Sequence, residues 1–158
     1  MAIEELGYKS PEGCIAHGLL RQVISGQAGT TKALKASDSG ALCLFDNAAG
    51  QIYTLPAPVV GLQFDFVITV AGTSNAYSID TDAATTFIGG GLAAVSTTVA
   101  EGGDSLPATI ASTVSCDFDS AVTGRLVGTS CCITCISSTT WAITGTLHGV
   151  GTLADPFA

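Results

Sequence analysis

Six cysteines, two histidines and thirteen carboxylates are the side chains of this 158-residue sequence suited to holding a metal or moving a proton. Cys132 and Cys135 have the spacing of a CxxC zinc half-site, and Cys14 with His17 would complete a Cys3His set. The flanking pattern opposes that chemistry. Val127, Thr129, Cys131, Ile133 and Cys135 share one parity and Gly128, Ser130, Cys132, Thr134 and Ile136 the other. A strand here therefore sends Cys132 and Cys135 to opposite faces. The cysteines, Cys43 and Cys116 among them, read as reduced core residues, because their uneven spacing lacks an accompanying export signal.

Two carboxylate pairs, Asp80 with Asp82 and Asp117 with Asp119, have the i, i+2 spacing that puts both members on one side of an extended strand. Calcium exploits such oxygen pairs, yet neither lies in a glycine-containing EF-hand loop, and both read as solvated strand rims. His17 and His148 sit in no recognisable catalytic setting, and Gly-x-Ser-x-Gly, HExxH and phosphate-loop motifs are missing. Gly89-Gly90-Gly91 has neither the helix nor the lysine of a phosphate loop and reads as a turn. Trp141, the only tryptophan, alternates with Ile143 and reads as a core anchor, not a sugar platform. The expectation is a non-enzymatic protein with no metal and no cofactor.

The elements that carry these residues follow from composition. Hydrophobic residues make up 47% of the chain and charged residues 11%, while 20 Thr, 19 Gly and 14 Ser supply a third of the positions. Three Lys and four Glu leave little to decorate long solvated helices. Residues 62–70 alternate Leu62, Phe64, Phe66, Ile68 and Val70 against mostly polar neighbours. Residues 140–147 set Trp141, Ile143 and Leu147 against threonines. Each pattern is that of a strand with one buried face. Weaker strand-like pieces, separated by Gly, Pro, Asn and Ser clusters, bring the total to about eight to ten. That number in one domain makes an all-β fold: a β-sandwich, jelly-roll-like or barrel-like. Residues 1–29 show neither strand nor helix period clearly, although a short helical turn fits residues 15–24 except at Gly18. They read as an extended N-terminal arm, with the β-domain spanning residues 30–158.

Charge limits the partners. The formal net charge of −8 repels phosphate, which excludes nucleic acid. Lys9, Arg21, Lys32 and Lys35 all precede Ala36, after which ten carboxylates face Arg125 alone. No run of eighteen apolar residues is present, so no helical membrane span is expected, and the acidic start does not read as a secretory signal. So apolar and weakly charged a chain is expected to bury surface against other subunits, as an oligomer or part of a larger assembly.

The order of several motifs resembles a known family. Asp38-Ser39-Gly40 precedes a strand, Thr54-Leu55-Pro56-Ala57-Pro58 ends one, Gly61-Leu62 leads into Phe64-x-Phe66, and residues 137–145 read Ser-Ser-Thr-Thr-Trp-Ala-Ile-Thr-Gly. Together they resemble the head decoration, or capsid cement, proteins of tailed bacteriophages. The chain departs from that pattern at Cys131, Cys132 and Cys135, and has Ser138-Thr139 where Asp-Gly or Asn-Gly is commoner. The resemblance implies a virion structural protein on the outer capsid surface, made in the host cytoplasm, a homotrimer that clamps neighbouring major capsid proteins. The arm residues Ile3, Leu6, Tyr8 and Arg21 are the expected capsid contacts. A β-domain of a tail fibre or baseplate, structural or receptor-binding, is the alternative.

Overall fold

The computed structural model describes residues 21–26, 31–96 and 112–158, together with the strands Tyr8–Lys9, Ile15–Ala16 and Ser105–Ala108. The chain is all-β. In order the strands are β1 (Tyr8–Lys9), β2 (Ile15–Ala16), β3 (Val23–Ser25), β4 (Thr31–Ala33), β5 (Leu42–Phe45), β6 (Gln51–Thr54) and β7 (Gln63–Ile68). They continue as β8 (Tyr77–Asp80), β9 (Phe87–Ser96), β10 (Ser105–Ala108), β11 (Ser115–Phe118), β12 (Ser130–Cys135) and β13 (Thr140–Gly149). A single 3-10 turn, Ala36–Asp38, is the one helical element among the described residues.

From β3 to β8 the chain alternates between two sheets. β3, β5 and β7 lie side by side in parallel in one, and β4, β6 and β8 do the same in the other. The first grows to seven strands in the order β10-β9-β13-β12-β7-β5-β3, and the second to four in the order β11-β8-β6-β4. β12 and β13 form an antiparallel pair that inserts between β7 and β9, with β13 running parallel to β9 over ten residues. β1 and β2 pair with each other, and with no other strand among the described residues. The result is a sandwich of two mixed sheets. Its parallel neighbours separate it from a jelly roll, whose sheets are antiparallel.

Alternation decides which side chains meet between the sheets. Cys43 and Phe45 of β5, Phe64, Phe66 and Ile68 of β7, and Cys131, Ile133 and Cys135 of β12 are buried at every second position. From the facing sheet come Tyr53, Tyr77, Ile79, Cys116 and Phe118. Phe45 sits at the centre, its ring 4.9 Å from Tyr77, 5.2 Å from Tyr53, 6.0 Å from Phe66 and 6.2 Å from Phe118. The two tyrosines bring hydroxyls into an apolar space, where an unpaired one would cost free energy. Tyr53 Oη donates to the Leu44 carbonyl at 2.9 Å, and Tyr77 Oη to the Val70 carbonyl at 2.8 Å. Each ring thereby fixes a strand end as well as filling space. Trp141 and Ile143 are fully buried, as their alternation indicates.

Three sequence readings are corrected. Gly89-Gly90-Gly91, read as a turn, lies inside the ten-residue β9. A Cβ on Gly90 would stand 2.2 Å from the Ile143 carbonyl oxygen, so only glycine lets β9 and β13 approach so closely, and φ there is +116°. The boundary between arm and domain at residue 29 also moves. Val23–Ser25 is the edge strand of the large sheet, in register with Leu42–Leu44, and Ile24 is buried in the core. The helical turn fitted to residues 15–24 gives way to strands β2 and β3.

Removing the central ring should remove both its contacts and its volume. Phe45→Ala is expected to cost about 3–5 kcal/mol, a large part of the ~5–15 kcal/mol typical of a domain, and Phe45→Leu clearly less. Urea unfolding of the three proteins measures this, and equal midpoints would show that the sheets are held together elsewhere.

Candidate functional site

The strand pairing brings together the two carboxylate pairs that lie far apart in sequence. β8 and β11 are antiparallel, with Asp117 opposite Ser78 and Ser115 opposite Asp80. Ile79 and Cys116 between them point into the core, so Ser78, Asp80, Ser115 and Asp117 all stand on the outer face of the small sheet. Ser78, only 5% exposed, has its hydroxyl within hydrogen-bond reach of Asp80 Oδ1 and at 2.5 Å from Asp117 Oδ1. Ser115 Oγ donates to Asp117 Oδ2 at 2.8 Å. Asp119 is tied to the turn that follows β11: Thr123 Oγ1 donates to its carboxylate and accepts the Ser120 amide at 2.8 Å. Asp82 is exposed in the turn after β8.

These carboxylates line an open groove of about 1060 Å³, whose walls also include Gln51, Ile52, Asn75 and the loop at Thr81–Ala84. Among the described residues, no lysine, arginine, histidine or cysteine lines it. The Ser78 and Ser115 hydroxyls donate to the Asp117 carboxylate, and no imidazole is among the described lining residues. Among the described residues no group of three or more His, Cys, Asp or Glu side chains is arranged to hold a metal ion. What the groove provides is a concentrated negative field on one broad face.

The four buried thiols, Cys43, Cys116, Cys131 and Cys135, are equally far from nucleophilic chemistry. Burial pushes the Cys43 thiol up to about 12, with Asp38 and Asp65 adding to the rise. Burial likewise raises Cys116, Cys131 and Cys135, keeping them protonated at neutral pH and poor metal ligands. Cys135 Sγ donates inward to the Ser137 carbonyl at 3.1 Å, whereas Cys132 lies on the outer face, where Gln63 Nε2 reaches it at 3.0 Å. The CxxC pair is split between the two sides of β12. Cys14 and His17 lie outside the described residues. His148 is half-buried near the end of β13, in register with Val95 of β9, with no carboxylate partner among the described residues.

The arm residues meet different fates. Ile3 and Leu6 lie outside the described residues. Tyr8 belongs to β1, in register with Ala16. Arg21 is committed to the fold: it forms an ion pair with Asp65 at 2.5 Å and donates to the carbonyls of Gly40 at 2.9 Å and Ala41 at 3.2 Å. That clamp joins the chain entering β3 to the start of β5 and the middle of β7.

The sequence signals for the groove were the two i, i+2 pairs. What they lacked was the β8–β11 register, which makes one four-residue Ser/Asp constellation out of two separate rims. No protein-family model, no curated protein and no solved structure matches this chain.

A raised thiol pKa carries a pH consequence. The folded state keeps Cys43 protonated while the unfolded chain ionises it near its ordinary 9.0, so its contribution is complete below pH 9 and lost as pH rises towards about 12. Stability should therefore fall above pH 9 by about 1.4 kcal/mol per pH unit for this thiol alone. Urea midpoints at pH 7, 9 and 10 test it, and Cys43→Ala should flatten the slope; parallel slopes for both proteins would refute the assignment.

Proposed function

We propose that this protein is a non-enzymatic structural subunit of a tailed-phage virion that binds the outer surface of the capsid and cements neighbouring major capsid proteins. The observation that carries the reading is where the resembling motifs fall in the fold. Asp38-Ser39-Gly40 is the turn into β5, Thr54 to Pro58 is the exit from β6, Leu62 to Phe66 enters and forms β7, and residues 137–145 make the β12–β13 turn and the first half of β13. They occupy strand boundaries of one sandwich, at β5, β6, β7 and β13, as a shared framework of strands and turns requires.

The charge distribution is compatible with that role. An acidic groove face is repelled by packaged DNA and suits an outward orientation. Reinforcement is then a matter of linkage: a subunit that binds only the assembled, expanded shell adds its binding free energy to that state, multiplied over many copies. Arg21 stays 46% exposed while it pairs with Asp65, so the proposed shell contacts are Ile3, Leu6, Tyr8 and Arg21, with strand addition by the arm to a neighbour.

Quantitative mass spectrometry of purified virions tests the reading. A copy number in simple ratio to the major capsid protein is expected; a few copies per particle would place the protein on the tail, as a fibre or baseplate domain. Deleting residues 1–20 should leave a folded subunit that no longer binds shells, whereas deleting residues 1–29 also removes β3 and should lower the urea midpoint. Shell binding by the shorter deletion at wild-type affinity would refute the role of the arm.

A further inference from the structure

We propose that one end of the large sheet, the rim from Arg21 to Val60 and Ile136, is an apolar seat on the shell that acts beside the arm; the inference rests on the capsid reading above. Strand direction defines that end. β3, β5 and β7 run parallel and begin there, and β12, antiparallel to β7, finishes there. The large apolar side chains more than half exposed among the described residues are Val23, Val59, Val60, Val127 and Ile136, with Val60 the most exposed at 66%. All but Val127 lie at this end. The fold does not call for the valine pair. Val59 to Leu62 is a turn closed by the Leu62 amide on the Val59 carbonyl at 3.1 Å, with Gly61 at φ +95° in its third position. Turn corners usually go to Pro, Asn, Asp or Ser, which hold the same backbone and suit water. Here two valines stand on the turn, behind Pro56 and Pro58, and residues 47–64 carry no charged side chain.

The occupant follows from what else the rim holds. Arg21, half-exposed and already a proposed shell contact, donates to the Gly40 carbonyl at 2.9 Å. The Gly40 amide donates to the Gln63 carbonyl at 2.7 Å, one residue past the valine turn. The Gly61 amide donates to the Cys135 carbonyl at 3.0 Å, next to Ile136. Hydrogen bonds thus join Arg21, the valine turn and Ile136 into one fixed rim over β3, β5, β7 and β12, roughly 14 Å wide at ~4.8 Å per strand spacing. A surface that receives Arg21 therefore meets the valines as well. What fits is an apolar patch of the major capsid protein with hydrogen-bond acceptors at its border, where Arg21 falls. Pro56 and Pro58 restrict the loop before contact, so less ordering entropy is lost on docking. The acidic groove, on the outer face of the other sheet, stays in solvent.

Co-sedimentation of the full chain with purified expanded heads assembled without it, titrated to half-saturation, is the test. Val60→Asp and Ile136→Asp each put a charge into the apolar contact and should weaken binding at least ~10-fold. Val127→Asp, at the opposite end, should bind like the wild type. Near-ultraviolet circular dichroism checks that each variant is folded, and Val59→Asp repeats the test if Ile136→Asp is not. A photo-crosslinker gives an independent readout: Val60→p-benzoylphenylalanine should join the major capsid protein on irradiation, and Val127→p-benzoylphenylalanine should not. A wild type that fails to bind heads would remove the capsid reading and this seat with it. Wild-type binding matched by the folded aspartate variants, or position 60 joining only a second copy of this chain, would overturn the seat and leave the capsid reading standing.

Discussion

The contact of Phe45 with the rings of Tyr53, Tyr77, Phe66 and Phe118 is the interaction on which the rest of the molecule depends. It is the point where the two sheets meet. Each partner ring comes from a different strand, so one cluster sets the spacing of the sheets and the register of β5, β6, β7, β8 and β11. Because interiors pack at crystal-like density, the cluster fixes the positions of strands that touch it only indirectly. The Ser78, Asp80, Ser115 and Asp117 constellation is one result: it exists on the outside because Ile79, Cys116 and Phe118 are held on the inside.

Much of this architecture is legible in the residues. The alternation of Phe64, Phe66 and Ile68 placed β7, that of Trp141 and Ile143 placed β13, and the parity argument separated Cys132 from Cys135, all by the period of two that a pleated strand imposes. What was not legible is pairing. Gly89-Gly90-Gly91 has the composition of a turn and is a strand because β13 runs against it, a tertiary demand that local propensity does not contain. Val23–Ser25 is too short to show a period and becomes part of the sheet through Ile24 and the Arg21–Asp65 clamp. The groove was half legible, since each acid pair is visible but the register that joins them is not.

The two outer faces divide the chemistry of the chain. The small sheet carries Asp80 and Asp117 on its outside, in a groove that Asp82 and Asp119 also line, without a neutralising cation among the lining residues. The large sheet carries leucine, valine, threonine and a single compensated aspartate. A protein with one repulsive and one neutral face is oriented by electrostatics before any specific contact forms. That asymmetry is consistent with a subunit built to sit on a larger surface, and it is a property of the sheets, not of any one residue.

The insertion of β12 and β13 between β7 and β9 has a consequence for how the chain reaches this state. β9 is synthesised well before the strand it lies against, and its parallel ladder with β13 joins residues 53 positions apart, as Phe87 with Thr140. Until the later pair arrives, β7 and β9 each present an unsatisfied row of amides and carbonyls. Closure must wait for the final third of the sequence, which makes folding slow for a chain of this size. In that interval a β12–β13 pair from another molecule fits the same gap. Strand exchange between nascent chains is therefore the characteristic misassembly of this topology, and a crowded site of synthesis is where it would occur.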